Sequence, residues 1–255
     1  MKRSRPQCNI FVVFNDTMLA SASIFWFQSF INTTIVNLFT ESYLEQKKRW
    51  PQAGRVILAQ YDANSVIVYQ AYRPGIGHFA ARHGYFGGEF KLSRMTWIKP
   101  NFLWMMYRSG WGTKPGQEVI LAIQLQRSAF DFILTQAVYS SYAEEVYGIQ
   151  EQWQDAVKHS DVRLQWDPDH APTGGKLTRR AIQLGLRGEA IAHYAKDWII
   201  EIEDISQFVA AQREHTHSNH HDYLLTPQEQ PYSVADLGVA QRLQVSPTCA
   251  SSIRI

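Results

Sequence analysis

Between Arg94 and Trp111 the chain sets Trp97, Trp104 and Trp111, three of its eight tryptophans, beside Arg94, Lys99 and Arg108, with Lys114 just beyond. Cations interleaved this densely with aromatic residues need an anionic partner, a carboxylate or water, because an unpaired buried charge is costly. Arg94, Lys99, Arg108, Lys114 and, farther along, Arg180 have the chemistry to grip a phosphate or pyrophosphate, arginine as a two-pronged donor and lysine as a point charge. The indoles of Trp97, Trp104 and Trp111 offer faces on which a base or a nicotinamide ring would stack. A plainer arrangement uses the same residues, with the indoles in a core and the cations reaching past them to solvent.

Two glutamines stand where strands are normally apolar. Gln70 interrupts the run Val66 to Tyr72, and Gln183 sits between Ala181 and Gly185 on the small-residue face of the alternating segment Ala181 to Leu186. A buried amide must be hydrogen-bonded, to protein or to a ligand. Four histidines, His215, His217, His220 and His221, cluster farther on. Imidazoles bind transition metals, but closed metal sites usually add cysteine or carboxylate ligands and an outer shell, so no metal is assigned. The chain has no phosphate loop of Walker type, no dinucleotide glycine fingerprint and no nucleophile elbow.

The elements that must position these residues follow from periodicity. Val66 to Tyr72 is β-branched and aromatic and stops at Arg73-Pro74-Gly75, so a strand ending in a turn is predicted, with a short helix over 76–84. Thr96 to Ile98 gives a brief strand, and Pro100 suits the first turn of a helix over 102–108 that Gly110 stops. Glu118 to Leu125 is apolar on both faces and reads as a central strand. Ser128 and Asp131 resemble a capping box at the head of an amphipathic helix, and a second helical pattern uses Ile149, Trp153, Ala156 and Val157. Asp167 to Gly175 is loop-like in composition. Ala181 to Leu186 is a strand, a helix starts at Gly188, and Ile199 to Ile205 closes the set.

A chain of 255 residues has room for one self-sufficient core, and a formal charge of +2 is too mild to argue for nucleic acid. With only Cys8 and Cys249 there is no disulfide framework, which suits a reducing, cytoplasmic setting. Residues 1–50 carry a basic start and an apolar run broken by Asn15, Asp16, Gln28 and Asn32. A membrane span needs about 20 predominantly apolar residues. An irregular extension, or translated non-coding sequence, is therefore expected there, and no stable membrane association; the alternatives are a membrane anchor or a secretory signal with small residues for cleavage at Ala20-Ser-Ala-Ser. The compact domain is expected over 51–212, and 213–255 reads as a polar, histidine-rich flexible tail.

The run RMTWIKPNFLWMMYRSGW, with VYQAY before it and QWDP and IQLGLRGEA after it, closely resembles the family designated domain of unknown function 4291, over roughly residues 53–206. A second, fold-level resemblance is to the ADP-ribosyltransferases. Val68 to Pro74 resembles their first strand, Met95 to Trp97 with the helix from Pro100 their second unit, and Ala181 to Leu186 the strand that presents a catalytic carboxylate. Gln70 stands where those enzymes have arginine or histidine, and Gln183 where they have glutamate. The resemblance implies a single α+β domain that uses NAD as cofactor, with a nucleic acid or a protein as acceptor of ADP-ribose, or one that acts on a phosphorylated nucleic acid. Gln70 and Gln183 would orient ribose and acceptor, Arg94, Lys99, Arg108, Lys114 and Arg180 would hold phosphate, and Trp97 would stack. Glutamine orients but cannot accept a proton, so the resemblance implies a transferase to an acceptor that needs little deprotonation, one that recruits Glu189 or Glu203 as base, or a domain that only binds a nucleotide. The alternative is a non-catalytic module that docks RNA or an acidic protein on its cationic, aromatic face.

Overall fold

The computed structural model describes residues 38–216 and 221–247. In chain order the elements are β1 (Thr40–Ser42), α1 (Tyr43–Arg49), β2 (Gly54–Arg55), β3 (Leu58–Ala59), β4 (Ser65–Tyr72), α2 (Pro74–His83), β5 (Thr96–Ile98), α3 (Phe102–Ser109) and β6 (Val119–Gln126). They continue with α4 (Arg127–Gln136), β7 (Ala137–Tyr139), α5 (Glu144–Tyr147), α6 (Gln150–His159), β8 (Val162–His170), β9 (Lys176–Leu186), α7 (Gly188–Lys196) and β10 (Ile199–Asp204). The last are α8 (Ser206–Arg213), a 3-10 turn at His221–Tyr223, β11 (Leu225–Pro227), β12 (Gln230–Pro231) and α9 (Leu237–Arg242). This is an α+β domain.

Apolar residues on both faces make β6 a central strand, paired antiparallel with β4 on one side and β10 on the other. Leu121, Ile123 and Leu125 join Val66 and Val68 in one core, while Ile120 and Ala122 join Ile67 and Tyr69 in a second. The other main sheet has the order β2-β9-β8-β7, with β5 also on β9. Its apolar side sends Leu164, Trp166, Ile182, Leu184 and Leu186 into the first core, where Phe130, Ile133 and Leu134 of α4 and Ile191 and Tyr194 of α7 meet them. Phe102, Leu103, Met105 and Met106 of α3 fill the second core. The two sheets touch just past β5, where the Tyr69 N–H donates to Lys99 O at 2.7 Å and the Lys99 N–H to Tyr69 O at 3.3 Å. Beyond that contact β4 and β5 are joined by side chains, Gln70 and Tyr72 of β4 each bonding to Thr96.

Local signals set α3 closely. Asn101 caps it, its side chain accepting from the Trp104 N–H at 2.6 Å, and Gly110 ends it at φ 59°, a left-handed conformation that costs glycine little.

Four expectations need correction. The described residues beyond 212 are part of the compact domain: β11 pairs with β1, β12 with β3, and Leu224, Tyr232, Val239 and Leu243 are buried. Their apolar residues are few and set among prolines and polar residues, with one short helical pair, Val239 and Leu243, so they announce no sustained pattern. At the other end, folded structure begins by Thr40 rather than 51, with Tyr43, Gln46 and Trp50 buried. The segment from Asp167 is strand up to His170: β8 absorbs Pro168 at a register shift against β9, and only the turn at Ala171 to Gly175 is loop. Ser128 and Asp131 form no cap on α4, which starts at Arg127. Asp131 instead accepts from the Tyr232 hydroxyl at 2.6 Å, a partner the C-terminal segment delivers.

Most of the apolar run that ends near Phe39, and His217 and His220, lie outside the described residues. Among the described residues no helix is long and apolar enough to cross a membrane.

Candidate functional site

A cleft of about 480 Å³ is bordered by β4, β5, α3 and the β8–β9 pair, and Gln70, Arg94, Trp97, Lys99, Arg108 and Gln183 all line it. Six of the eight residues that sequence spacing singles out thus come together. Lys114 and Arg180 do not. Lys114 donates to the carbonyls of Tyr107 at 3.3 Å and Arg108 at 2.7 Å, closing the C-terminal end of α3. Arg180 donates to Trp166 O at 3.2 Å, on the side of β9 opposite Gln183 by strand alternation.

The tryptophans divide as well. Trp111 belongs to the second core, with its indole N–H on Pro172 O at 3.2 Å. Trp104 is buried and lies parallel to Tyr107 and His170. Only Trp97 reaches the cleft. Its ring rests on β9 at Gly185, where an added methyl group would come within 3.0 Å of the indole. Glycine there is the condition for Trp97 to lie against the strand beside Gln183.

Gln70 is 3% exposed, and its amide is fully used. Nε2 donates to Thr96 Oγ1 at 2.7 Å and to Trp97 O at 3.1 Å, while Oε1 accepts from the Tyr194 hydroxyl at 2.6 Å. Tyr72 shares Thr96, hydroxyl to hydroxyl, at 2.6 Å. Burial pushes the Tyr194 and Tyr72 phenols up, so both stay protonated, and the Thr96 and Gln70 hydrogen bonds only partly oppose this at Tyr72. Gln70 therefore ties β4 to β5 and α7 at the back of the cleft, with both amide hydrogens committed.

Lys99 is the unusual group. It is 4% exposed, and among the described residues its ammonium makes one hydrogen bond, a long one from Nζ to Trp97 O at 3.5 Å. Among the described residues no carboxylate lies within ion-pairing distance of Lys99, Arg94 or Arg108. Burial, with the Arg108 charge adding to it, brings the Lys99 ammonium down to about 7, against the opposing pull of Asp167.

Gln183 leads to a residue that composition had hidden. Its Nε2 donates to Asp167 Oδ2 at 2.7 Å, and Gln165 Nε2 donates to Asp167 Oδ1 at 2.9 Å. Gln165 and Gln183 are direct cross-strand partners and both line the cleft. The pair Asp167-Pro168 reads as a turn, yet Leu164 and Trp166 alternate with Gln165 and Asp167, and that two-residue period was the available signal. Neither carboxylate named as a replacement base is at the cleft. Glu189 is exposed at the head of α7, and Glu203 lies on β10, the strand at the far edge from β4.

A family model described as Domain of unknown function (DUF4291) matches residues 56–232. The chain belongs to this family. The DUF4291 match takes in every residue of the cleft and continues through β11, β12 and Tyr232, in keeping with a compact domain that extends past residue 212. No curated protein matches the chain.

Proposed function

We propose that the cleft binds NAD or a related nucleotide through its phosphates and transfers ADP-ribose from NAD to an acceptor on a nucleic acid or a protein. The observation that carries this reading is Lys99, a nearly buried amine that lines a cleft with Arg94 and Arg108 and has no carboxylate within ion-pairing distance among the described residues. Such a set gains most from a ligand that brings two or more negative charges, and a pyrophosphate does so with the geometry arginine prefers. Trp97 at the rim supplies a face for a base or the nicotinamide ring. A pyrophosphate with a ring attached unites these features.

One observation favours RNA binding without turnover. Tyr107, partly exposed, stacks on His170 at 3.4 Å between centroids, and Lys114 stands 5.8 Å above its ring. A base stacked on such a platform would need no chemistry.

Thermal unfolding with NAD, ADP-ribose, ATP or a short single-stranded RNA separates the two. A ligand present at 100 times its dissociation constant adds about 2.7 kcal/mol to stability. NAD and ADP-ribose are expected to raise the midpoint, and Arg94→Ala and Arg108→Ala each to weaken binding about tenfold or more, since hydrogen bonds to charged groups contribute about 1.5–3 kcal/mol. A cooperative transition that RNA alone moves, with steep salt dependence, would replace the transferase reading with the binding module. If no ligand moves it, both fail.

A further inference from the structure

We propose that Asp167 is the catalytic carboxylate of the cleft, and that Gln183 and Gln165 are positioning residues that hold it. The inference rests on the transferase reading above and supplies the base which that reading lacked. Gln183 and Gln165 each place one amide N–H on a different oxygen of Asp167, at 2.7 Å and 2.9 Å. This clamp fixes the plane of the carboxylate and leaves each oxygen a free lone pair. Among the described residues Asp167 makes no ion pair, so its charge is not spent on a neighbouring cation. Two neutral amides orient the group and leave the charge intact.

Its surroundings fit a proton acceptor. Asp167 is partly exposed, between two residues that line the cleft, and its field reaches Lys99. Gln70, the other candidate, has no such freedom, because all of its donors are engaged inside the fold. The fixed carboxylate sits with Trp97 on one face of the second sheet, since Trp97 pairs with Gly185 and Gln165 with Gln183 on the same side of β9.

In the step assigned to it, the bond between C1′ of the nicotinamide ribose and the ring nitrogen breaks, and its electron pair leaves on neutral nicotinamide. The hydroxyl oxygen of the acceptor, or of water, bonds to C1′. The hydroxyl proton passes to Asp167 and from there to solvent. The carboxylate also stabilises the positive charge that develops on the ribose. The products are the ADP-ribosylated acceptor, nicotinamide and one proton.

The test uses the full chain with NAD and water as acceptor, and follows nicotinamide release beside ADP-ribose binding. Asp167→Asn and Asp167→Ser are expected to lower NAD hydrolysis by roughly 10²–10⁴-fold, the range for general base catalysis. Both should bind ADP-ribose as tightly as the parent or more so, because a negative charge has left a cationic cleft. Gln183→Ala should lower kcat with ADP-ribose affinity within about twofold, and combined with Asp167→Asn should cost no more than Asp167→Asn alone, as groups acting through one another do. Hydrolysis within a few-fold of the parent in either Asp167 variant that still binds ADP-ribose would overturn the assignment. Loss of ADP-ribose binding in both variants would overturn it too, marking Asp167 as structural. A parent protein that binds neither NAD nor ADP-ribose would instead overturn the transferase reading, and this inference with it.

Discussion

Lys99 makes the cleft measurable even without a substrate in hand. Burial holds its ammonium near 7, against an ordinary value of 10.5. Below pH 7 the amine is charged in folded and unfolded chains alike, and the cost of burying it is paid in full. Above pH 7 the folded chain sheds the proton while the unfolded chain keeps it, so stability must rise with pH through that window. At about 1.4 kcal/mol per pH unit for one proton, raising the pH from about 7 to about 9.5 stabilises the fold by about 3 kcal/mol. The window ends below 10 because Tyr69, Tyr72, Tyr194 and Tyr232, all pushed up by burial, pull the opposite way once the unfolded chain's phenols ionise. Urea unfolding at several pH values, with Lys99→Met beside the parent, isolates the contribution, since every other group cancels in the difference. Lys99→Met should be the more stable chain at pH 7, and the two should converge near pH 9.5. Binding should show the same proton: at pH 8 ADP-ribose should draw close to one proton onto Lys99, seen by titration calorimetry in buffers of different ionisation enthalpy. Parallel stability curves for the two chains across this window would refute the reasoning.

Two further substitutions test the frame around the site. Arg179 donates to buried Asp169 at 2.8 Å and 2.5 Å and to Pro51 O at 2.7 Å, with its guanidinium 5.3 Å from the Trp50 ring. Arg179→Met strands the carboxylate and should cost about 3–5 kcal/mol in urea unfolding. Leu243 is fully buried in the first core, and its carbonyl accepts from the Tyr139 hydroxyl and the Trp166 indole, both at 3.0 Å. Leu243→Ala should cost about 2–5 kcal/mol, whereas a peripheral tail would show almost no change.

The sequence alone determined the elements whose reasons are local. Apolar residues on both faces marked β6 as central, a strand-then-proline signal ended β4, Asn101 and Gly110 bounded α3, and cations among indoles located the cleft wall over 94–108. It also told that Gln70 and Gln183 were polar in apolar company, without telling which was committed to the fold. Tertiary structure decided that. Gln70 is consumed by Thr96, Trp97 and Tyr194, partners up to 124 residues away, whereas Gln183 turns to Asp167, on a strand whose proline disguised it. The same distance explains the C-terminal segment, where Tyr232 and Leu243 are buried by elements far from them in sequence. Periodicity and caps act over a few residues and can be read along the chain. A hydrogen-bond partner or a missing carboxylate depends on which distant strands are brought side by side, and only the folded chain fixes that.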